Sequence, residues 1–128
     1  MRHDVTEADT ALALGSGDVP VLATPRLIAW LEAAAVRAAR SRLGSGLTTV
    51  GTAVRVRHLR ATGVGETVEV SATAPADMAG RRLTFEVRAV DGSGELVATG
   101  EIDRAVVDLD RFAALFTGEP AGHRRPGG

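Results

Sequence analysis

One stretch of this chain restricts its fold more than any other: Leu22-Ala23-Thr24-Pro25 followed by a run of Ala, Leu and Arg that reaches Leu43. Thr24 is placed to cap free backbone N–H groups, and Pro25 suits the first helical position. The residues that follow are good helix formers, and Gly44-Ser45-Gly46 ends the run. Leu27, Ile28, Leu31, Ala34, Ala35 and Ala38 recur at helical spacing and form a broad apolar face. Because much of that face is alanine, whatever covers it must approach closely. A sheet wrapped around the helix meets that condition.

Strands dominate the rest. Alternation predicts them over Val50 to Leu59, Glu66 to Ala74, Arg82 to Val90 and Glu95 to Val107, with a turn at Gly63-Val64-Gly65 and a hairpin connection at Asp91-Gly92-Ser93-Gly94. A short N-terminal strand is expected near Thr10 to Leu14, and Leu109 to Phe116 forms a short closing helix. Residues 1–117 read as one domain, and Gly118 to Gly128, rich in Gly and Pro, as a disordered tail. One helix followed by segregated antiparallel strands is an α+β order, not an alternating parallel one. A curved antiparallel sheet of about five strands around one long central helix satisfies it. That is the hotdog fold.

Composition removes several functions. Aromatic residues are only 3%, so stacking on nucleic-acid bases is poorly provided for, and a net charge of -1 supplies no basic field for phosphates. The absence of cysteine excludes disulfides, thiolate zinc sites and cysteine nucleophiles, and fits a reducing cytoplasm. No apolar run approaches the ~18 residues of a membrane span, and the N-terminus has no signal-peptide core. No dinucleotide fingerprint, phosphate-binding loop or nucleophile elbow occurs, and Asp103, Asp108 and Asp110 lack a metal-ligand pattern with histidine. The expectation is a cytoplasmic protein that takes no cofactor, metal, nucleic acid or membrane.

Two side chains stand out. Glu32 has Ile28, Ala29, Ala35 and Val36 as helical neighbours and lies off the Arg26, Arg37, Arg40 stripe, so no cation sits beside it on the helix. It is either a boundary glutamate reaching water or a carboxylate suited to general-base or nucleophilic work. His58 ends the valine-lined face of its strand and points toward the helix, either as a structural histidine or as an acid/base. Thr24 caps the helix, and the helix N-terminus also suits a developing oxyanion. Arg55 and Arg57 project opposite His58, as a solvated face or as a clamp for the phosphates of a carrier such as coenzyme A.

Three segments carry a resemblance. Ala23-Thr24-Pro25-Arg26-Leu27-Ile28-Ala29-Trp30-Leu31-Glu32 with the alanines that follow, Val50-Gly51-Thr52-Ala53 running to His58, and Asp103-Arg104-Ala105-Val106-Val107-Asp108 resemble, in order and spacing, the fluoroacetyl-CoA thioesterase family of hotdog proteins. The resemblance implies a homodimer with two interface sites that hydrolyse an acyl-CoA thioester. It implies catalytic roles for Thr24, Glu32 and His58, a backbone N–H at Gly51 that orients the thioester carbonyl, and Arg104 near the pocket. Where the fluoroacetyl-specific member closes its pocket with phenylalanines, this chain reads Gly17-Asp18-Val19-Pro20-Val21-Leu22, without an aromatic. The expected function is therefore hydrolysis of a short or medium acyl-CoA. The alternative is a non-catalytic module that binds acyl-CoA or a similar small ligand in the same cleft.

Overall fold

A computed structural model describes residues 1–117. Its elements are β1 (Arg2–Asp4), a single 3-10 turn, α1 (Ala11–Leu14), α2 (Thr24–Arg40), β2 (Leu47–His58), β3 (Thr67–Thr73), β4 (Arg82–Asp91), β5 (Leu96–Asp108) and α3 (Leu109–Thr117). The five strands form one sheet in the order β1-β3-β4-β5-β2, and every neighbouring pair is antiparallel. The sheet curls around α2, so the α+β, helix-in-sheet expectation holds.

The alanines explain the closeness of that wrap. Leu27, Leu31, Ala34, Ala35 and Ala39 on α2 are buried against Val68, Val70, Leu83, Phe85, Val87 and Ile102 from the concave face of the sheet. Short side chains let the helix axis sink toward the strands, and the leucines at its N-terminal half fill the deeper part of the curve. Arg37 and Arg40 in the last turn complement the helix dipole. The helix ends at Arg40 rather than Leu43, because the Ser41 and Arg42 amides both turn back to the Ala39 carbonyl.

The N-terminus corrects two expectations. Thr10 to Leu14 is not a strand: the Thr10 hydroxyl accepts from the Ala13 amide and Gly15 closes the turn at φ 71°, so a capped helical turn forms instead. The edge strand lies earlier, where Arg2, His3 and Asp4 pair with Glu69, Val68 and Thr67. His3 therefore belongs to the sheet, and its ring stacks on Trp30 with centroids 4.3 Å apart and planes 2° from parallel. The tail expected over Gly118 to Gly128 lies outside the described residues.

At the other edge, among the described residues β2 pairs only with β5, and one side of its backbone carries no partner strand. Its register slips between Gly51 and Ala53, which face Arg104 and Asp103 in turn, so Thr52 is an inserted residue. The insertion changes which face each half of β2 presents. Beyond it, Val54, Val56 and His58 stand opposite Ile102, Gly100 and Ala98; before it, Thr49 and Gly51 stand opposite Val106 and Arg104. Ile102 and Arg104 both point inward, so Gly51 lies on the same concave face as His58. Simple alternation along the sequence had put it on the opposite one.

Candidate active site

The concave face beside β2 carries two groups of polar side chains. The first lies where α2 begins. The Thr24 hydroxyl is 2.8 Å from His58 Nδ1. The helix is capped by position Ala23 without a side-chain hydrogen bond, so the Thr24 hydroxyl engages the imidazole rather than capping the helix. The start of α2 is held instead by the Ala23 amide on the Asp9 carbonyl and by an Arg26–Asp9 ion pair of 3.1 Å. Among the described residues His58 Nε2 is buried with no hydrogen-bond partner. Burial depresses the His58 pKa below the ordinary imidazole value, against a smaller opposing effect of the Arg60 backbone. The ring is neutral at pH 7.

The second group lies two turns further along α2. Glu32 Oε2 accepts from Arg104 Nη1 at 3.3 Å, and Arg104 is itself buried at 6% exposure. Its guanidinium also donates from Nε to the Thr49 hydroxyl at 2.8 Å and from Nη2 to the Thr49 carbonyl at 3.0 Å. The cation missing from the helix around Glu32 thus arrives from β5. A Cβ on Gly51 would stand 2.8 Å from Glu32 Oε2 and 3.3 Å from Arg104 Nη1. A side chain at position 51 would push the Glu32 carboxylate off its present place over the strand.

The two groups are separate within one chain. Eight residues of helix put Thr24 and Glu32 ~12 Å apart along the axis. Gly51 and His58 are seven residues apart on β2, on the order of 20 Å. Between them Val54 faces the same side, yet remains 41% exposed. Within one chain, Thr24 and His58 therefore form one group, and Glu32, Gly51, Arg104 and Thr49 the other.

Arg55 has other partners. It lies on the convex face, paired to Asp103 at 2.8 Å and to Glu101 at 3.3 Å. The Arg55 and Thr84 hydrogen bonds hold the Asp103 pKa at about 2. Thr49 was not singled out from the sequence. Its signal is positional: a threonine two residues before Gly51 shares that glycine's face of the strand.

Residues 5–110 match the fluoroacetyl-CoA-specific thioesterase family. The chain belongs to that family. It is 40% identical over 103 residues to the fluoroacetyl-CoA thioesterase of Streptantibioticus cattleyicolor, covering 80% of this chain and 73% of that protein. A solved fluoroacetyl-CoA thioesterase structure superposes with a TM-score of 0.81 at 32% identity, over 94% of this chain and 92% of its own. A Thermus thermophilus protein of the thioesterase superfamily superposes with a TM-score of 0.79 at 26% identity, over 91% and 85% of the two chains. Among the described residues no helix is long and apolar enough to cross a membrane, and no cluster of His, Asp and Glu is arranged to hold a metal.

Proposed function

We propose that this protein is an acyl-CoA thioesterase that works as a homodimer, with each site assembled from the two half-sites of different subunits. The observation that carries the reading is the Thr24–His58 hydrogen bond, beside which a buried Nε2 has no hydrogen-bond partner among the described residues. A buried polar atom left unpaired costs ~1–3 kcal/mol, so this ring is set to receive something. Glu32, resting over Gly51, is the group that would complete the site.

The geometry of β2 supports the assembly. Its free edge pairs antiparallel with a second copy across a twofold axis, as isologous dimers do. Antiparallel pairing centred near Val54 sets the Gly51 end of one strand against the His58 end of the other. Val54, inward-facing and half-exposed in the single chain, is covered at that joint. The Thr24–His58 pair then faces Glu32 of the partner subunit. The structure of a related fluoroacetyl-CoA-specific thioesterase with fluoroacetate and CoA supports the substrate class.

The chemistry follows from the groups. The thioester carbonyl is oriented by the Gly51 N–H and by the free N–H groups at the start of α2. Glu32 either takes a proton from water as that water attacks the carbonyl carbon, or attacks the carbon itself and is released by water. The carbon–sulfur bond breaks, and coenzyme A leaves as the thiol once its sulfur is protonated. Neutral His58, steadied by Thr24, exchanges the proton. Because burial pushes its pKa below the ordinary imidazole value, the acid limb of kcat/KM should be centred below pH 6.5, with the rate levelling off as pH rises beyond it. An acid limb centred above pH 6.5 in a pH–rate profile would contradict this.

The founding test is turnover of an acyl-CoA panel by the purified protein, followed by free-thiol release; binding without turnover favours the non-catalytic module. The same panel reads selectivity. Exchange of one hydrogen for fluorine alters very little contact area, and even a methylene in an apolar pocket is worth only ~1–3 kcal/mol. The segment before Thr24, with Asp18, Val19 and Pro20, has no aromatic side chain to seal the pocket. Acetyl-CoA and fluoroacetyl-CoA should therefore be hydrolysed at comparable kcat/KM. A ratio of ~10³ or more in favour of the fluorinated ester, over 4 kcal/mol, would overturn the argument.

A further inference from the structure

A buried arginine normally needs several acceptors, and the way Arg104 distributes its donors is unusual in one respect. Among the described residues, two of its three side-chain hydrogen bonds go to a single residue, Thr49, through the hydroxyl and the carbonyl. Both are shorter than the third, to Glu32, at 3.3 Å. Thr49 is only 6% exposed although it lies on an edge strand. Its backbone is fixed by pairing with Val106, two residues from Arg104 on β5. The planar guanidinium has its donors in a rigid fork, so gripping the Nε and Nη2 edge decides where Nη1 points. It points at the carboxylate lying over Gly51.

We infer that Thr49 is a positioning residue of the thioesterase site: it fixes the orientation of Arg104, and through Arg104 it holds the Glu32 carboxylate over Gly51. The inference rests on the hydrolytic role proposed above for Glu32. Without the hydroxyl, Nε loses its acceptor inside a buried pocket, and the guanidinium turns to find another. Glu32, itself partly exposed, then swings toward water. The carbonyl of Thr49 alone gives one bond and leaves the fork free to rotate about it.

The test compares Thr49→Val, which keeps the shape and removes the hydroxyl, with Thr49→Ser, which keeps the hydroxyl. Both are measured in the full chain with the acyl-CoA that the panel shows to be turned over best. Thr49→Val should lower kcat ~30-fold with KM within ~3-fold, and Thr49→Ser should stay within ~3-fold of the parent in both. In a Glu32→Gln background, Thr49→Val should leave the residual rate unchanged, because residues acting through one another are not additive. A full extra ~30-fold loss there, or a Thr49→Val enzyme as active as the parent, overturns the inference.

A second measurement does not need turnover. The Arg104 Nε–H, bonded to the Thr49 hydroxyl, should exchange slowly with water by NMR, and at least ~10-fold faster in Thr49→Val. Unchanged exchange overturns the anchor. If the anchor behaves as expected while Glu32→Gln hydrolyses normally, the role given to Glu32 has failed and the Thr49–Arg104 grip has not. Should Thr49→Val fold poorly, Thr49→Ala is read by the same two measurements.

Discussion

Replacing Glu32 with Gln should reduce kcat/KM for thioester hydrolysis by at least ~10³-fold, about 4 kcal/mol in transition-state stabilisation, while the protein remains folded and in the parent's oligomeric state. Gln keeps the length of the side chain and an oxygen for Arg104 Nη1, so the lost activity reports the carboxylate charge and its basicity. Glu32→Ala should be equally inactive and also less stable. Arg104, 7% exposed at its side chain, has Glu32 as its ion-pair partner, and that carboxylate is 38% exposed. Removing one member of a buried pair leaves the other charge uncompensated. Thiol release over a range of acyl-CoA concentrations, with light scattering and thermal unfolding of the same samples, checks these statements. Turnover within tenfold of the parent in Glu32→Gln would remove the proposed mechanism.

Two inactive variants should restore one another when their subunits are mixed. In a site shared between subunits, a Glu32→Gln chain still supplies a sound Thr24–His58 pair, and a His58→Ala chain still supplies a sound Glu32. Their heterodimer therefore holds one site with neither lesion and one site with both. Random exchange makes about half the dimers mixed, each with one of its two sites intact, so activity should recover to about a quarter of the parent level. From homodimers silenced ~10³-fold, that is a rise of more than ~100-fold. If both half-sites of a functional centre belonged to one chain, every site in the mixture would carry a lesion and no recovery would be seen. The experiment needs only subunit exchange or co-expression, and the mixed species can be isolated by a tag on one chain.

The sequence showed the frame of this molecule clearly because its largest elements obey one physical signal each. The Ala-rich helix, the alternating runs over β3 and β4 and the hairpin at Asp91-Gly92-Ser93-Gly94 were all visible as periodicity and turn chemistry. Glu32 and His58 stood out for a related reason: each is polar at a position that the surrounding pattern makes apolar. What failed was local competition. Thr24 obeys every rule for a helix cap, yet His58, distant in sequence, takes its hydroxyl. Thr10 to Leu14 alternates like a strand, but a side-chain cap and a glycine at positive φ make it helical. The first outcome is decided from outside its segment, whereas the second rests on local turn chemistry that competes with the apparent alternation. The Arg104–Thr49 grip was hidden in the same way, since its members are 55 residues apart in the chain.

The extra residue in β2 bears on how such a site is inherited. Side chains along this strand can be exchanged one at a time and the strand keeps its phase. The bulge is what aligns its two halves: were Thr52 paired in regular alternation, Thr49 and Gly51 would rotate to the convex side, away from Glu32 and Arg104, while His58 stayed behind. Loss of Thr52 altogether would leave Gly51 opposite Arg104 and Ala53 opposite Asp103 in unbroken register, with Gly51 and His58 still on the concave face. A relative without the extra residue can therefore keep this site, whereas one that keeps the residue and irons out the bulge cannot. The parity of pairing between Gly51 and His58, more than the count of residues, is what a descendant must preserve.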